Sequence, residues 1–188
     1  MPRQAGSCRL SQTLELLSLM QEEARSYAVT AHADQKYGER PYSYHLDQVA
    51  ALAKPYGEEA VAIAYLHDTA EDTEVTISEI KRRFGSKVAE CVSWLTDEPG
   101  ANRKERKAKT YAKLAAVSGP NEVALLVKAA DRLANVRACA KDRKRSLWQL
   151  YQSEQPTFRT AAFRPGLCDP LWAELETLLA EGAFDAEV

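Results

Sequence analysis

Alternation of apolar and polar residues at period two is almost absent from this chain, and with it the signal of half-buried β-strands. There is no Asn-Gly or Asp-Gly pair to turn a tight hairpin, and no strand–glycine-loop–helix unit. No run approaches the roughly 18–20 apolar residues of a membrane span, which excludes a membrane partner. The N-terminus, Met1-Pro2-Arg3-Gln4-Ala5-Gly6, lacks the apolar stretch of a secretory signal, so the expected compartment is cytoplasmic. Charge of one sign is not in excess. The net charge of −2 argues against nucleic acid as a partner. Cysteine is sparse, and Cys8, Cys91, Cys139 and Cys168 lie far apart with no C-x-x-C pair. In a chain that is not exported, this pattern means free thiols rather than disulfides or a zinc knot. Histidine is scarcer still. Only His32, His45 and His67 are present, so an imidazole-bound metal draws on these, and a histidine-rich site for two metals is hard to build.

What the chain has instead is a series of apolar-periodic stretches cut by helix caps and breakers. Hydrophobic residues make up 45% and charged residues 28%, the balance of a globular protein with a substantial core. Residues 1–10 read as a flexible leader. From Ser11, apolar residues recur every three or four positions (Leu14, Leu17, Met20, Ala24, Tyr27, Ala28, Ala31), which predicts a helix ending near His32. Gly38 and Pro41 punctuate a polar loop. A helix from Ser43 carries His45 in its first turn and is stopped by Pro55 and Gly57. Residues 58–72 are expected to form one further helix. Thr76-Ile77-Ser78-Glu79 is a capping box, and the helix it opens stops at Gly85, after which Ser86 can cap another. The turn Asp97-Glu98-Pro99-Gly100 precedes a basic segment, 103–109. Ser118-Gly119-Pro120 then separates that helix from one over about 121–139. Ser146 can cap a helix after the second basic cluster, 141–145. Asp169-Pro170 starts the last one, with Gly182 near its end. No repeat or long linker divides the chain. The expectation is a single all-α domain over 11–188, with about eight to ten helices.

One stretch stands out chemically. Tyr65-Leu66-His67-Asp68-Thr69-Ala70-Glu71-Asp72-Thr73 places an imidazole and three carboxylates at the end of an apolar run. Buried carboxylates must be paired, hydrogen-bonded or bound to a metal. On a continuous helix His67 and Glu71 would share one face, and Asp68 and Asp72 the next. His45, His67, Asp68 and Asp131 form a mixed nitrogen and oxygen donor set that suits manganese, iron or zinc. Glu71 and Asp72 would be spare carboxylates able to orient or deprotonate a metal-activated water. By the bland reading, His45 caps a helix, Asp131 pairs with an arginine, and Glu71-Asp72 is a solvated helix end. The basic clusters can hold phosphates or simply face solvent. Lys107 and Arg106 are the candidates for substrate contact.

These residues resemble a known family. The order His45, His67-Asp68, Asp131 resembles the HD phosphohydrolase superfamily. Four stretches narrow the match: Ala31-His32-Ala33-Asp34-Gln35; Pro41-Tyr42-Ser43-Tyr44-His45 with Val49-Ala50; Leu66 to Thr73; and Val127 to Arg137. Over residues 20–140 they look like the hydrolase domain of RelA/SpoT-type alarmone enzymes. The resemblance implies a stand-alone small alarmone hydrolase of the stringent response, without a synthetase domain. It also implies removal of the 3′-pyrophosphate from ppGpp or pppGpp with one manganese ion (Mn2+), giving GDP or GTP and pyrophosphate. By motif position, His45, His67, Asp68 and Asp131 would hold the metal. Glu71 and Asp72 would serve water activation and proton transfer, Asn135 would touch the nucleotide near its ribose, and Lys107 would contact phosphate.

The chain departs from the family pattern at Gln35-Lys36-Tyr37-Gly38, which is one residue shorter and lacks the family's usual arginine. Lys36 and Tyr37 are the substrate-contact candidates here. Tyr37 can stack on a purine but offers no guanidinium fork, which leaves the adenosine analogues ppApp and pppApp open. Leu46 and Ala134 replace a proline and a histidine without touching a ligand position. Two other functions stay open. One is a different HD-type nucleotidase or phosphatase, acting for instance on a phosphorylated dinucleotide cofactor and releasing orthophosphate. The other is a helical binding module with an idle metal site. The residues leave the oligomeric state undetermined.

Overall fold

The helix over Glu58–Leu66 is apolar on every side: Ala60, Val61, Ala62, Ile63, Ala64 and Leu66 are all buried. A helix of this kind can only be stable inside others, and the rest of the fold surrounds it. The computed structural model describes residues 5–180, with side chains from Leu19 onward. Its helices are α1 (Ala5–His32), α2 (Ser43–Ala53), α3 (Glu58–Leu66), α4 (Thr69–Asp72), α5 (Ile77–Leu95), α6 (Arg103–Ala115), α7 (Val123–Lys141), α8 (Arg145–Ala162) and α9 (Asp169–Ala180). Helices α1, α2, α5 and α7 pack around α3. Helix α7, buried without a break from Ala124 to Ala130, also carries α8 and α9 on its far side. The protein is all-α, as its caps and breakers indicate. None of the described helices is long and apolar enough to cross a membrane.

Most boundaries follow local chemistry. The capping box of α5 is complete: Thr76 Oγ1 accepts from the Glu79 N–H, and Glu79 Oε2 accepts from the Thr76 N–H at 2.8 Å. Gly85, at φ 88° and ψ 167°, kinks α5 where the sequence marks a stop, a conformation that a residue with a Cβ rarely adopts. Cys91, Cys139 and Cys168 are buried free thiols, as expected. The side chain of Cys8 lies outside the described residues.

Four expectations need correction. Helix α1 starts at Ala5 rather than Ser11: no proline follows Pro2 in this stretch, and Gly6 sits in the first turn, where it weakens a helix without ending it. Residues 1–4 of the expected leader, and Gly182, lie outside the described residues. Ser146 sits inside α8, which Lys144 precedes without a side-chain cap. Residues 58–72 are not one helix: α3 ends at Leu66, a turn holds His67 and Asp68, and α4 resumes at Thr69. A short antiparallel hairpin, which the sequence did not signal, joins β1 (Lys36–Tyr37) to β2 (Arg40–Pro41), with Gly38 turning it at φ 62°. Arg40 fastens this hairpin to the end of α7 through two bonds to Asp142, at 2.8 and 3.1 Å.

Charges are also buried between α6, α7 and α8. Arg132 lies between the Tyr151 and Phe158 rings, 4.6 Å from each, and donates to Glu154 at 3.1 Å and to the Tyr111 hydroxyl at 2.7 Å. Arg103 binds the same Glu154 through two nitrogens. Glu154→Ala would leave a buried guanidinium without its counter-charge. It is expected to lower unfolding free energy by about 3 kcal/mol, measured as a fall in the urea midpoint. A loss below about 1 kcal/mol would place this network among surface ion pairs.

Candidate metal centre

The break between α3 and α4 has a chemical consequence. On a straight helix His67 and Asp68 would point about 100° apart. In the turn, Asp68 takes φ −99° and ψ −6°, and its Oδ2 comes within 3.0 Å of His67 Nε2. The Thr69 hydroxyl bonds back to the Leu66 carbonyl and covers an acceptor that the break leaves open.

Helix α2 brings His45 and α7 brings Asp131 to the same point. The two imidazoles face each other at 3.3 Å between Nε2 atoms. His45 Nε2 lies 3.3 Å from Asp131 Oδ1 and 3.5 Å from Asp68 Oδ2. Ligand atoms of His45, His67 and Asp131 all fall within 4.8 Å of one another, and Asp68 stands beside them. Both histidines are buried, at 2% and 1% relative exposure. His67 Nδ1 donates to the Ala64 carbonyl at 2.7 Å, which turns its Nε2 lone pair toward the cluster. Two imidazole nitrogens and two carboxylates at these distances fit a single divalent cation of the manganese, iron or zinc type.

The electrostatics point the same way. Burial disfavours a charged His67, but Asp68 and Asp131 outweigh it and push its pKa up to about 10. Burial would raise Asp68 and Asp131 in turn. For Asp68, the His67 charge and hydrogen bonds from His45 and His67 hold it well below the carboxylate range; for Asp131, Lys128 contributes most. Lys128 is itself buried, 3.5 Å from Asp131 Oδ2, and its ammonium is held charged by the surrounding acids against the cost of burial. Four groups compete here for positive charge, and protons supply it where a cation does not.

The acidic pair lies beside the cluster, joined to Asp68 through Tyr42. Glu71 and Asp72 are exposed residues whose carboxyl ends are partly screened from water. Loss of water raises both, with the Asp68 charge adding to it; Lys128 offsets part of the rise at Glu71. Glu71 Oε2 accepts from the Asp97 N–H at 2.8 Å. The Tyr42 hydroxyl lies 2.6 Å from Asp68 Oδ2 and 3.0 Å from Asp72 Oδ2, tying a cluster carboxylate to the pair.

The substrate-contact candidates fare unevenly. Tyr37 stacks on His45 with ring centroids 4.7 Å apart, and its hydroxyl donates to Asn135 Oδ1 at 2.7 Å. Asn135 Nδ2 donates to Asp131 Oδ1 at 2.5 Å, so Asn135 buttresses the cluster directly. Lys107 is bound to Asp97 at 2.7 Å and lines a cleft of about 540 Å³ between α6 and α8. Arg106 lines neither this cleft nor the smaller one beside His45. On α6 the cations that share the Lys107 face are Arg103 and Lys104. Lys36 is exposed at the open end of the hairpin, paired with Pro41. Sequence reasoning assigned no role to Tyr42, Lys128 or Asp97. Tyr42 and Lys128 sit inside the motif stretches quoted above, and that was the signal available.

Comparison with known proteins adds to this geometry. Residues 24–168 match the family model described as HD domain. The guanosine-3′,5′-bis(diphosphate) 3′-pyrophosphohydrolase of Aquifex aeolicus is 33% identical over 150 residues, covering 78% of this chain and 21% of that protein. MESH1 of Danio rerio, which carries the same enzyme name, is 34% identical over 122 residues, 61% of this chain and 66% of that protein. This chain thus spans about a fifth of the length of the first curated relatives it matches. A solved metazoan ortholog of SpoT, described as hydrolysing ppGpp, shares the fold with a TM-score of 0.68 over 86% of this chain and 94% of that one, at 23% identity.

Because protons and a cation compete for these nitrogens, titrating manganese chloride into the protein at pH 7 is expected to release protons. Calorimetry in buffers of different ionisation enthalpy measures this directly. Heats that do not vary with the buffer would contradict the charge state derived for His67. In Asp131→Asn the binding heat should be lost.

Proposed function

The chain belongs to the HD-domain family, and on that premise we propose that it is a manganese-dependent hydrolase that removes the 3′-pyrophosphate from a purine alarmone. The observation that carries this reading is the convergence of His45, His67, Asp68 and Asp131 with a spare acidic pair, Glu71 and Asp72, alongside. A binding module would need the first set but not the second. The names of the relatives support the same substrate class.

In this reading His45, His67, Asp68 and Asp131 hold the ion. When bound, a divalent cation supplies the Lewis acidity that makes a phosphoryl group susceptible to attack by water. Glu71, with one oxygen fixed by the Asp97 N–H, keeps the other free to accept a proton from the attacking water. Asp72, beside the Tyr42 hydroxyl, would share that proton and return one to the ribose 3′-oxygen as it leaves. The bond between phosphorus and the 3′-oxygen breaks. Pyrophosphate departs with the oxygen of water, and the nucleoside 5′-di- or triphosphate remains with a free 3′-hydroxyl. Lys107 and Lys128 offset the negative charge that builds on the phosphoryl oxygens. The nucleobase is the open choice: Tyr37 in place of an arginine admits ppApp and pppApp alongside ppGpp and pppGpp.

The test uses metal-stripped protein with manganese restored, presented with equal amounts of ppGpp and ppApp, the products being resolved by anion exchange. Pyrophosphate is expected from at least one nucleotide, and the faster one identifies the base. Asp68→Ala and His67→Ala are each expected to lower turnover by at least about a hundredfold. Orthophosphate as product, or full activity in either variant, would overturn the reading.

A further inference from the structure

The two histidines of the centre are oriented by different means. His67 has its outward nitrogen tied to the Ala64 carbonyl, the ordinary way of fixing a metal-binding imidazole. His45 has no such tie: its Nδ1 is buried without a hydrogen-bond partner among the described residues. On that side of the imidazole the ring is held by aromatic contacts, with Tyr42 edge-on at 5.7 Å and Tyr37 stacked. The Tyr37 ring lies nearly parallel to it, at 15° and 4.7 Å between centroids.

The same tyrosine reaches the opposite side of the cluster. Its hydroxyl donates to Asn135 Oδ1 at 2.7 Å. An asparagine amide has one acceptor end and one donor end. With the acceptor engaged by Tyr37, the Nδ2 donor faces Asp131, meeting Oδ1 at 2.5 Å and the Asp131 carbonyl at 3.0 Å. A flipped amide would set its oxygen against the Asp131 carboxylate.

We propose that Tyr37 is a positioning residue of the metal centre, clamping His45 of α2 to Asp131 of α7 by its ring on one side and its hydroxyl, through Asn135, on the other. This inference rests on the reading that His45 and Asp131 hold the ion, and not on the identity of the nucleotide. The hairpin is suited to such a role. Arg40 pins it to Asp142, the residue that caps the C-terminal end of α7, the helix that carries Asn135 and Asp131. Gln35 ties its start to the acidic pair by donating to the Asp72 carbonyl at 2.7 Å. Tyr37 is therefore presented from a fixed support rather than a free loop.

The test measures manganese affinity by calorimetry in the absence of nucleotide, together with the electron paramagnetic resonance spectrum of the bound ion, which reports ligand symmetry. Tyr37→Leu removes both arms and is expected to weaken binding by about tenfold or more and to broaden the spectrum. Tyr37→Phe keeps the stacking ring and should recover most of the affinity. Its remaining loss should vanish when tested in an Asn135→Ala background, because the hydroxyl acts only through Asn135. Circular dichroism and thermal melts confirm that each variant is folded. Wild-type affinity and an unchanged spectrum in folded Tyr37→Leu would overturn the inference. So would equal losses from Tyr37→Phe with and without Asn135. No nucleotide enters the titration, so failure of the alarmone reading leaves these affinities as they are.

Discussion

Two carboxylates and two imidazole nitrogens cannot share a few ångströms of protein interior without positive charge among them. Removing an ionised carboxylate from water is costly, and here Asp68 and Asp131 are drawn in together beside two buried histidines. Much of the surrounding structure answers that constraint. Lys128 is a buried ammonium held beside Asp131 and bonded to the Leu95 carbonyl. Tyr42 donates toward Asp68 and Asn135 toward Asp131. The interruption between α3 and α4 also belongs here. Without it two adjacent residues would diverge around a helix, and with it both face one point.

The frame that makes this possible is apolar. Helix α3 is buried on all sides and ends at the cluster, and α7 is buried for seven consecutive residues before it delivers Asp131. Elements packed at interior density move little relative to one another, so ligands mounted at their ends hold their spacing. The parts proposed to face the substrate are mounted differently. The hairpin at Lys36–Pro41 and the loop carrying Asp97 lie outside the helices and are fixed by a few polar ties to α7, α4 and α6. Rigid helices thus set the donor atoms, and short segments tied to those helices stand around them.

How much of this was legible depended on what each feature requires. Caps and breakers act over four or five residues, so the Thr76 capping box and the stops at Pro55, Gly57 and Gly85 were readable directly. His45, His67, Asp68 and Asp131 could be named as candidates because histidine is scarce, because carboxylates seldom follow an apolar run and because the order resembles a known family; the structure brings their side chains together. The interruption at His67-Asp68 was not readable, since neither glycine nor proline marks it; its cause is tertiary, the convergence itself. Which cations of the basic segment line the cleft beside Lys107 was hidden for a related reason. A basic helix such as α6 offers cations all round, and only its packing against α8 decides which face the cleft. Lys128 and Tyr42 look like ordinary members of their helix and loop until the acids they serve are placed beside them.

Charge at the centre orders the events of the proposed reaction. Five carboxylates, Asp68, Glu71, Asp72, Asp97 and Asp131, face two ammonium groups, Lys107 and Lys128. A pyrophosphate group approaching that set alone meets an excess of negative charge, in a partly buried site where water screens it poorly. A divalent cation held by the two ligand carboxylates removes most of the excess and gives the incoming oxygens a partner. Metal and polyanion then favour each other's binding, and by linkage the coupling is equal in both directions. Arg103 on the α6 wall cannot take over that part, because it is already engaged with Glu154. On this account the cation admits the substrate as well as activating it, and the residues that fix the cation's geometry govern affinity and turnover together.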